Sequence, residues 1–218
     1  MAGASQAGSG RADVEGRSAR KRRAIIEAAT TMFLRNGYAG TSMDEVAAKA
    51  AVSKQTVYKH FTDKQGLFTE IILSTIDEGA EPFFDEVGAL EDTEDFDRDL
   101  TELGRRLITI VMQPRLLQLL RLVTAEAGRF PELGHAFYDR GPGRTVAVLA
   151  SLFQRLAANG LLRVDDPLIA AGHFNWLVVS IPMNKVILSG DYEEFNSAEL
   201  QRFADAGVRA FLDGYRWH

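Results

Sequence analysis

No cysteine occurs among the 218 residues, which excludes disulfides, thiolate metal sites and cysteine nucleophiles and suits a cytoplasmic setting. Prolines number only six, so little of the chain is barred from helix. Apolar runs are short: none approaches the roughly 18 residues that span a bilayer. The leading stretch MAGASQAGSGRADVEG also lacks the apolar core of a signal peptide, so no membrane partner is expected. The four histidines, His60, His135, His173 and His218, show no metal-ligand spacing among themselves. Glu132-x-x-His135 is half of a di-iron helix motif, but its second copy and the two further glutamates are missing. GxSxG, P-loop and dinucleotide fingerprints are absent too. The chain thus reads as a protein without catalytic machinery, cofactor or metal.

What is present is helical periodicity almost from end to end. No segment alternates apolar and polar residues as a half-buried strand does, and no fixed-period repeat occurs, so the expectation is all-α. At 46% hydrophobic the chain can bury a substantial core.

The densest information lies in residues 41–64, TSMDEVAAKAAVSKQTVYKHFTDK. Ser42 followed three residues later by Glu45 forms a capping box, so a short helix starts near Met43. Met43, Val46, Ala47 and Ala50 recur at three- and four-residue spacing and make one narrow buried face. After a tight turn, Ser53 caps a second helix in which Val57 and Phe61 lie one turn apart on the inner side. Lys54, Gln55, Tyr58 and Lys59 are left pointing outward, with Thr56 and His60 at the margins. Lys can donate to guanine or a phosphate, Gln can pair bidentately with adenine, and a Thr methyl can touch that of thymine. Taken alone such a face is an ordinary solvated one; two capped helices around a turn make it a reading head for DNA.

Net charge is −5, which divides unevenly. Residues 1–64 hold 11 Lys/Arg against 6 Asp/Glu, a balance of +5, and the remainder holds 14 against 24, a balance of −10. Phosphate contact is thereby directed to one end of the chain. Residues 1–16 have too few apolar groups to fold alone and are expected to be a disordered tail. Arg17, Arg20, Lys21, Arg22 and Arg23 follow at the start of a helix with the stripe Ile25, Ile26, Ala29, Phe33 and Leu34, and Asn36-Gly37 ends it. The cluster is either solvated or laid along phosphates.

The pattern SxxxVAxxAxVSxxTxYxHFxxKxxLF, within a match running from about Lys21 to Leu73, resembles the N-terminal domain of TetR-family transcriptional regulators. The resemblance implies phosphate contacts from Thr41, Ser42, Tyr58, His60 and Lys64, base or phosphate contacts from Lys54, Gln55, Thr56 and Lys59, and a core role for Val46, Ala47, Val57 and Phe61. Relatives commonly carry Gly where this chain has Ala51, a position that would be strained at positive φ. The implied organisation is a helix-turn-helix domain over residues 17–65 and a helical effector-binding and dimerisation domain over 66–218.

Within that body, helices are expected from Gly66 to about Val87, from about Asp99 to Met112, and from Pro114 to Gly128. One or two more should cover Glu132 to Ala158, followed by helices from about Pro167 to Leu188 and from Ser197 to Tyr215. LLRLVTAEAGRFPELGHAFYDRGPGR is similar to the C-terminal domain of AefR-like members of the same family. The final helix carries the stripe Leu200, Phe203, Ala204, Gly207, Phe211 and Tyr215, whose small members permit close approach of another backbone. That backbone belongs either to the same chain or, as in family members that pair through their final helices, to a second copy. Polar groups set in apolar helices mark a candidate pocket for a small hydrophobic or aromatic effector: Phe83, Met112, Gln113, Arg121, Phe137, Trp176 and Asn184. The implied partners are a palindromic double-stranded operator, a second copy of the chain and that effector. The implied function is an effector-released repressor, with a constitutive DNA-binding protein or activator as the alternative.

Overall fold

The computed structural model describes residues 7–90 and 95–216, with the side chains of residues 7–15, 80, 82 and 89 left out. All the regular structure described is helical: α1 (Ala7–Asn36), α2 (Met43–Lys49), α3 (Lys54–His60), α4 (Lys64–Ala89), α5 (Phe96–Val111), α6 (Pro114–Glu126), α7 (Pro131–Arg140), α8 (Pro142–Ala158), α9 (Pro167–Ser189) and α10 (Ser197–Tyr215). Four of the six prolines open helices, at α6, α7, α8 and α9, where the missing N–H costs nothing. No single helix among the described residues is long and apolar enough to cross a membrane.

The chain divides into two compact units, with the division after Ile72, inside α4. In the first, α1 is longer than the expected disordered tail allows, since it begins at Ala7. The stripe at Ile25, Ala29 and Phe33 anchors the helix, and each added residue then gains a backbone hydrogen bond without a new nucleation cost. Residues 1–6 of that tail lie outside the described residues. Gly37 ends α1 at φ +73°, and its N–H returns to the Phe33 carbonyl at 2.9 Å. Behind that turn Phe33, Tyr38 and Phe68 form an aromatic cluster with centroids 4.9–5.9 Å apart, and Val46, Val57 and Phe61 are buried in the same unit.

The second unit is built on α5, α8, α9 and α10. Phe153, Phe174 and Phe211 meet at its centre, 4.9–5.5 Å apart. Of the one or two helices expected from Glu132 to Ala158 there are two, α7 and α8, broken at Gly141. Part of the acidic segment from Leu90 to Asp99, residues 91–94, lies outside the described residues; Asp95 then caps α5 through the Arg98 N–H. The stripe on α10 packs within the chain: Ala204, Gly207, Val208 and Phe211 are buried. A Cβ on Gly207 would come within 2.5 Å of the Leu177 carbonyl oxygen and 2.9 Å of the Val178 Cα, so this glycine is what lets α10 lie on the backbone of α9. The close approach allowed by Ala204 and Gly207 is therefore intramolecular. Arg105 of α5 clamps α10 with a bidentate pair to Asp205, at 2.6 and 2.8 Å, and holds that carboxyl below the usual carboxylate range.

Candidate nucleic-acid interface

The two short helices owe their positions to their caps. At the start of α2 the Glu45 N–H donates to Ser42 Oγ at 3.2 Å while the Ser42 N–H donates to Glu45 Oε2 at 3.1 Å. At its end the Val52 N–H reaches the Ala47 carbonyl and the Ala51 N–H the Ala48 carbonyl, a Schellman closure, with Ala51 at φ +53°. That left-handed residue sets the sharp turn into α3, where Ser53 caps the helix, its Oγ accepting from the N–H of Thr56, the third residue, at 3.2 Å. Val57 is fully buried under α3, which fixes the helix's roll.

With Val57 inward, Lys54, Gln55, Tyr58 and Lys59 face out, Tyr58 with 46% of its surface exposed. Thr56 and His60 are half-buried at the edges. Lys54 is already engaged, at 2.8 Å from Asp44 Oδ1 on α2, which raises its pKa through hydrogen bonding and then charge. This pair braces the angle between α2 and α3, and a guanine or phosphate would have to compete with Asp44 for the ammonium. Gln55 is exposed on the same face, free to address a base edge. At the far end of α3 the pKa of His60 is lowered, first by burial and then by the cations Arg22, Lys59 and Lys21. Arg22 forms an ion pair with Glu70 and stands over the Phe61 ring, 5.4 Å from its centroid.

Two residues expected at phosphates have other work. Thr41 is 1% exposed, and its hydroxyl donates to the Gly37 carbonyl at 2.9 Å, so its side chain anchors the α1–α2 loop from inside. Lys64, the first residue of α4, donates to the carbonyls of Tyr38 and Thr41, each at 2.9 Å, and lies 4.4 Å from the Tyr38 ring centroid. It staples α4 to that loop, leaving at most one of its three N–H donors for a phosphate. Ser42 is exposed and also bonded to Glu45 through its hydroxyl. No spacing rule signals the Lys64 contact, because its partners lie 23 and 26 residues away. The Lys54–Asp44 brace is equally invisible in the periodicity.

In the body, Phe83, Met112 and Phe137 are buried, whereas Gln113 and Arg121 on or beside α6 and Asn184 on α9 are exposed. Trp176 is 51% exposed on the outer face of α9, so within one chain it walls no interior space. The buried polar group of that helix is its neighbour Asn175, at 6%.

Comparison with known proteins places both units. The family model described as "Bacterial regulatory proteins, tetR family" matches residues 25–71, and that described as "AefR-like transcriptional repressor, C-terminal domain" matches residues 98–217. The fold is similar to the crystal structure of a TetR-family transcriptional regulator from Mesorhizobium loti MAFF303099, with TM-score 0.84 and 46% identity over 92% of this chain and 98% of that one. It is also similar to the flavonoid-responsive regulator FrrA, with TM-score 0.70 and 28% identity over 91% and 98%. Among curated proteins, the repressor SCO4008 of Streptomyces coelicolor is 28% identical over 76% of this chain and 82% of its own length. The HTH-type regulator YhgD of Bacillus subtilis is 43% identical over 58 residues, and the match spans 30% of that relative.

Proposed function

The chain belongs to the TetR family of bacterial transcriptional regulators, and from that premise we propose that it is a homodimeric repressor that binds a palindromic operator and leaves it when a small hydrophobic effector occupies its body. The observation that carries DNA reading is the outward row Lys54, Gln55, Tyr58 and Lys59 on a helix whose cap and inner face are already satisfied. Lys59, Tyr58 and His60 serve as phosphate contacts that position α3; Gln55 and Lys54 read base edges, with Thr56 at the margin. Ser42 adds a contact at the start of α2.

Pairing is supported by α9. Ile169, Trp176, Leu177, Ile181 and Leu188 are 42–83% exposed and share the outer half of the helix over some 20 residues, about 30 Å at 1.5 Å per residue. An apolar strip of that length on a protein surface marks an interface. A second copy covering it supplies the second head that a two-half-site operator demands. For the effector, the body supplies buried apolar side chains, Phe83, Met112 and Phe137 among them, and a buried polar side chain on α9, Asn175, the mixture that a small hydrophobic ligand requires. An aromatic ligand is further supported by the flavonoid-responsive relative. Ligand that binds better to conformers unable to seat both heads shifts the population away from the operator.

The test selects a duplex from a random pool with the purified protein and then titrates hydrophobic and aromatic compounds. Selection of a palindrome by a dimer, with release by compounds that also raise the melting temperature, is the expected result. Stabilising compounds that never release the duplex would refute effector control. Selection of a non-repeated site by a monomer would refute pairing.

A further inference from the structure

The family match begins at residue 25, yet α1 starts at Ala7, so the helix extends well ahead of the shared region. Over residues 16–24 this extension carries five cations and no carboxylate. One of them, Arg22, turns inward to Glu70 and Phe61 and pins this turn of α1 beside the end of α3. Arg17, Arg20, Lys21 and Arg23 are exposed. Lys21 is near enough to His60 to help lower its pKa, so this group continues the cationic surface to which Lys59 belongs.

We propose that Arg17, Arg20, Lys21 and Arg23 hold the sugar–phosphate backbone of the duplex flanking the half-site, so that each head covers more DNA than its helix-turn-helix alone. The proposal rests on the DNA-reading role of α3. Residues 17, 20 and 23 recur every three positions and drift slowly around one side of the helix. Their span, about 9 Å of helix axis, matches two to three phosphates of one strand at 3.4 Å of axial rise each. An anionic membrane is the poorer fit. Membrane-surface helices pair a basic face with a free apolar one, and here the apolar face, Ile25, Ala28 and Ala29, is buried in the head.

The deciding experiment uses the full-length protein and the duplex it selects from a random pool. Affinity is compared between the minimal selected core and the same core lengthened by unselected flanks on both sides, for wild type and for the variant Arg17→Gln/Arg20→Gln/Lys21→Gln/Arg23→Gln. Wild type is expected to bind the flanked duplex roughly tenfold or more tightly at low salt, with a slope of log affinity against log salt steeper by about 0.9 for each phosphate engaged. The variant should show no gain from the flanks and keep the wild-type base preference. Wild type that gains nothing, or a variant that gains as much, overturns the proposal. So does loss, in the variant, of binding to phosphatidylserine vesicles with the flank effect intact. A wild-type protein that selects no duplex brings down the DNA-reading role itself, and this proposal with it.

Discussion

Replacing Ala51 by glycine should stabilise the reading head. The residue sits at φ +53° as the left-handed closing position of the Schellman turn, and its methyl is exposed, so almost no packing is lost with it. Left-handed backbone costs an L-residue roughly 1–2 kcal/mol. Glycine gives back about 0.4–1 kcal/mol of that through its freer unfolded chain. The net expectation is a gain of about 0.5–1 kcal/mol. Fluorescence will not report it, because both tryptophans, Trp176 and Trp217, lie outside the head. The assay is amide hydrogen exchange across α2 and α3, where that gain slows exchange by about two- to fivefold. Ala51→Val is the counter-test: a β-branched side chain is least compatible with positive φ and should speed exchange. If glycine left the rates unchanged, or valine were tolerated as well as alanine, the assignment of strain to this turn would be wrong.

Gln55→Ala should relax discrimination at one base position by about 1–3 kcal/mol, read as a flattened preference in competition binding; equal loss on specific and random duplexes would remove Gln55 from base reading. Gly207→Ala should destabilise the second unit by about 1–3 kcal/mol through overpacking against α9, seen in Trp fluorescence melts, whereas Ile181→Glu should leave the fold intact and yield a monomer in sedimentation. The reverse pattern would place the interface on α10. Asp205→Asn removes the partner of Arg105. Because the native carboxyl titrates below its unfolded value, the stabilisation is fully present above about pH 4 and fades as pH falls through the lower native pKa. The variant should therefore lose about 1 kcal/mol at pH 7, allowing for screening of a pair one-third exposed, and converge with wild type under acid; a constant difference across pH would contradict the ion-pair account.

Local chemistry was the legible part of this sequence. Capping at Ser42 and Ser53, the inward Val57 and Phe61, the outward Lys54, Gln55, Tyr58 and Lys59, and the bounds of α10 all follow from contacts within a few residues. What failed to show were choices made between distant segments. Lys64 reads as a free cation before a helix until the loop carbonyls 23 and 26 residues upstream are seen around it. On α9 nearly every face is apolar, so periodicity could not tell the side laid on α10 from the side carrying Trp176. The exposed Ile181 lies seven residues, or only about 20° around the helix, from the buried Phe174, so burial there is decided by what α10 covers and not by register.

The placement of Gly207 has a consequence in genetics. Since α10 closes on α9 inside one chain, the body has its core before any partner arrives; if subunits pair through the outer side of α9 as proposed, they can part and re-pair without unfolding. Copies damaged in α3 but sound in α9 would then be drawn into mixed dimers with intact ones, each carrying a single working head. Such alleles should be dominant over wild type in a cell expressing both, while alleles with Gly207 enlarged, unable to build the body, should be recessive.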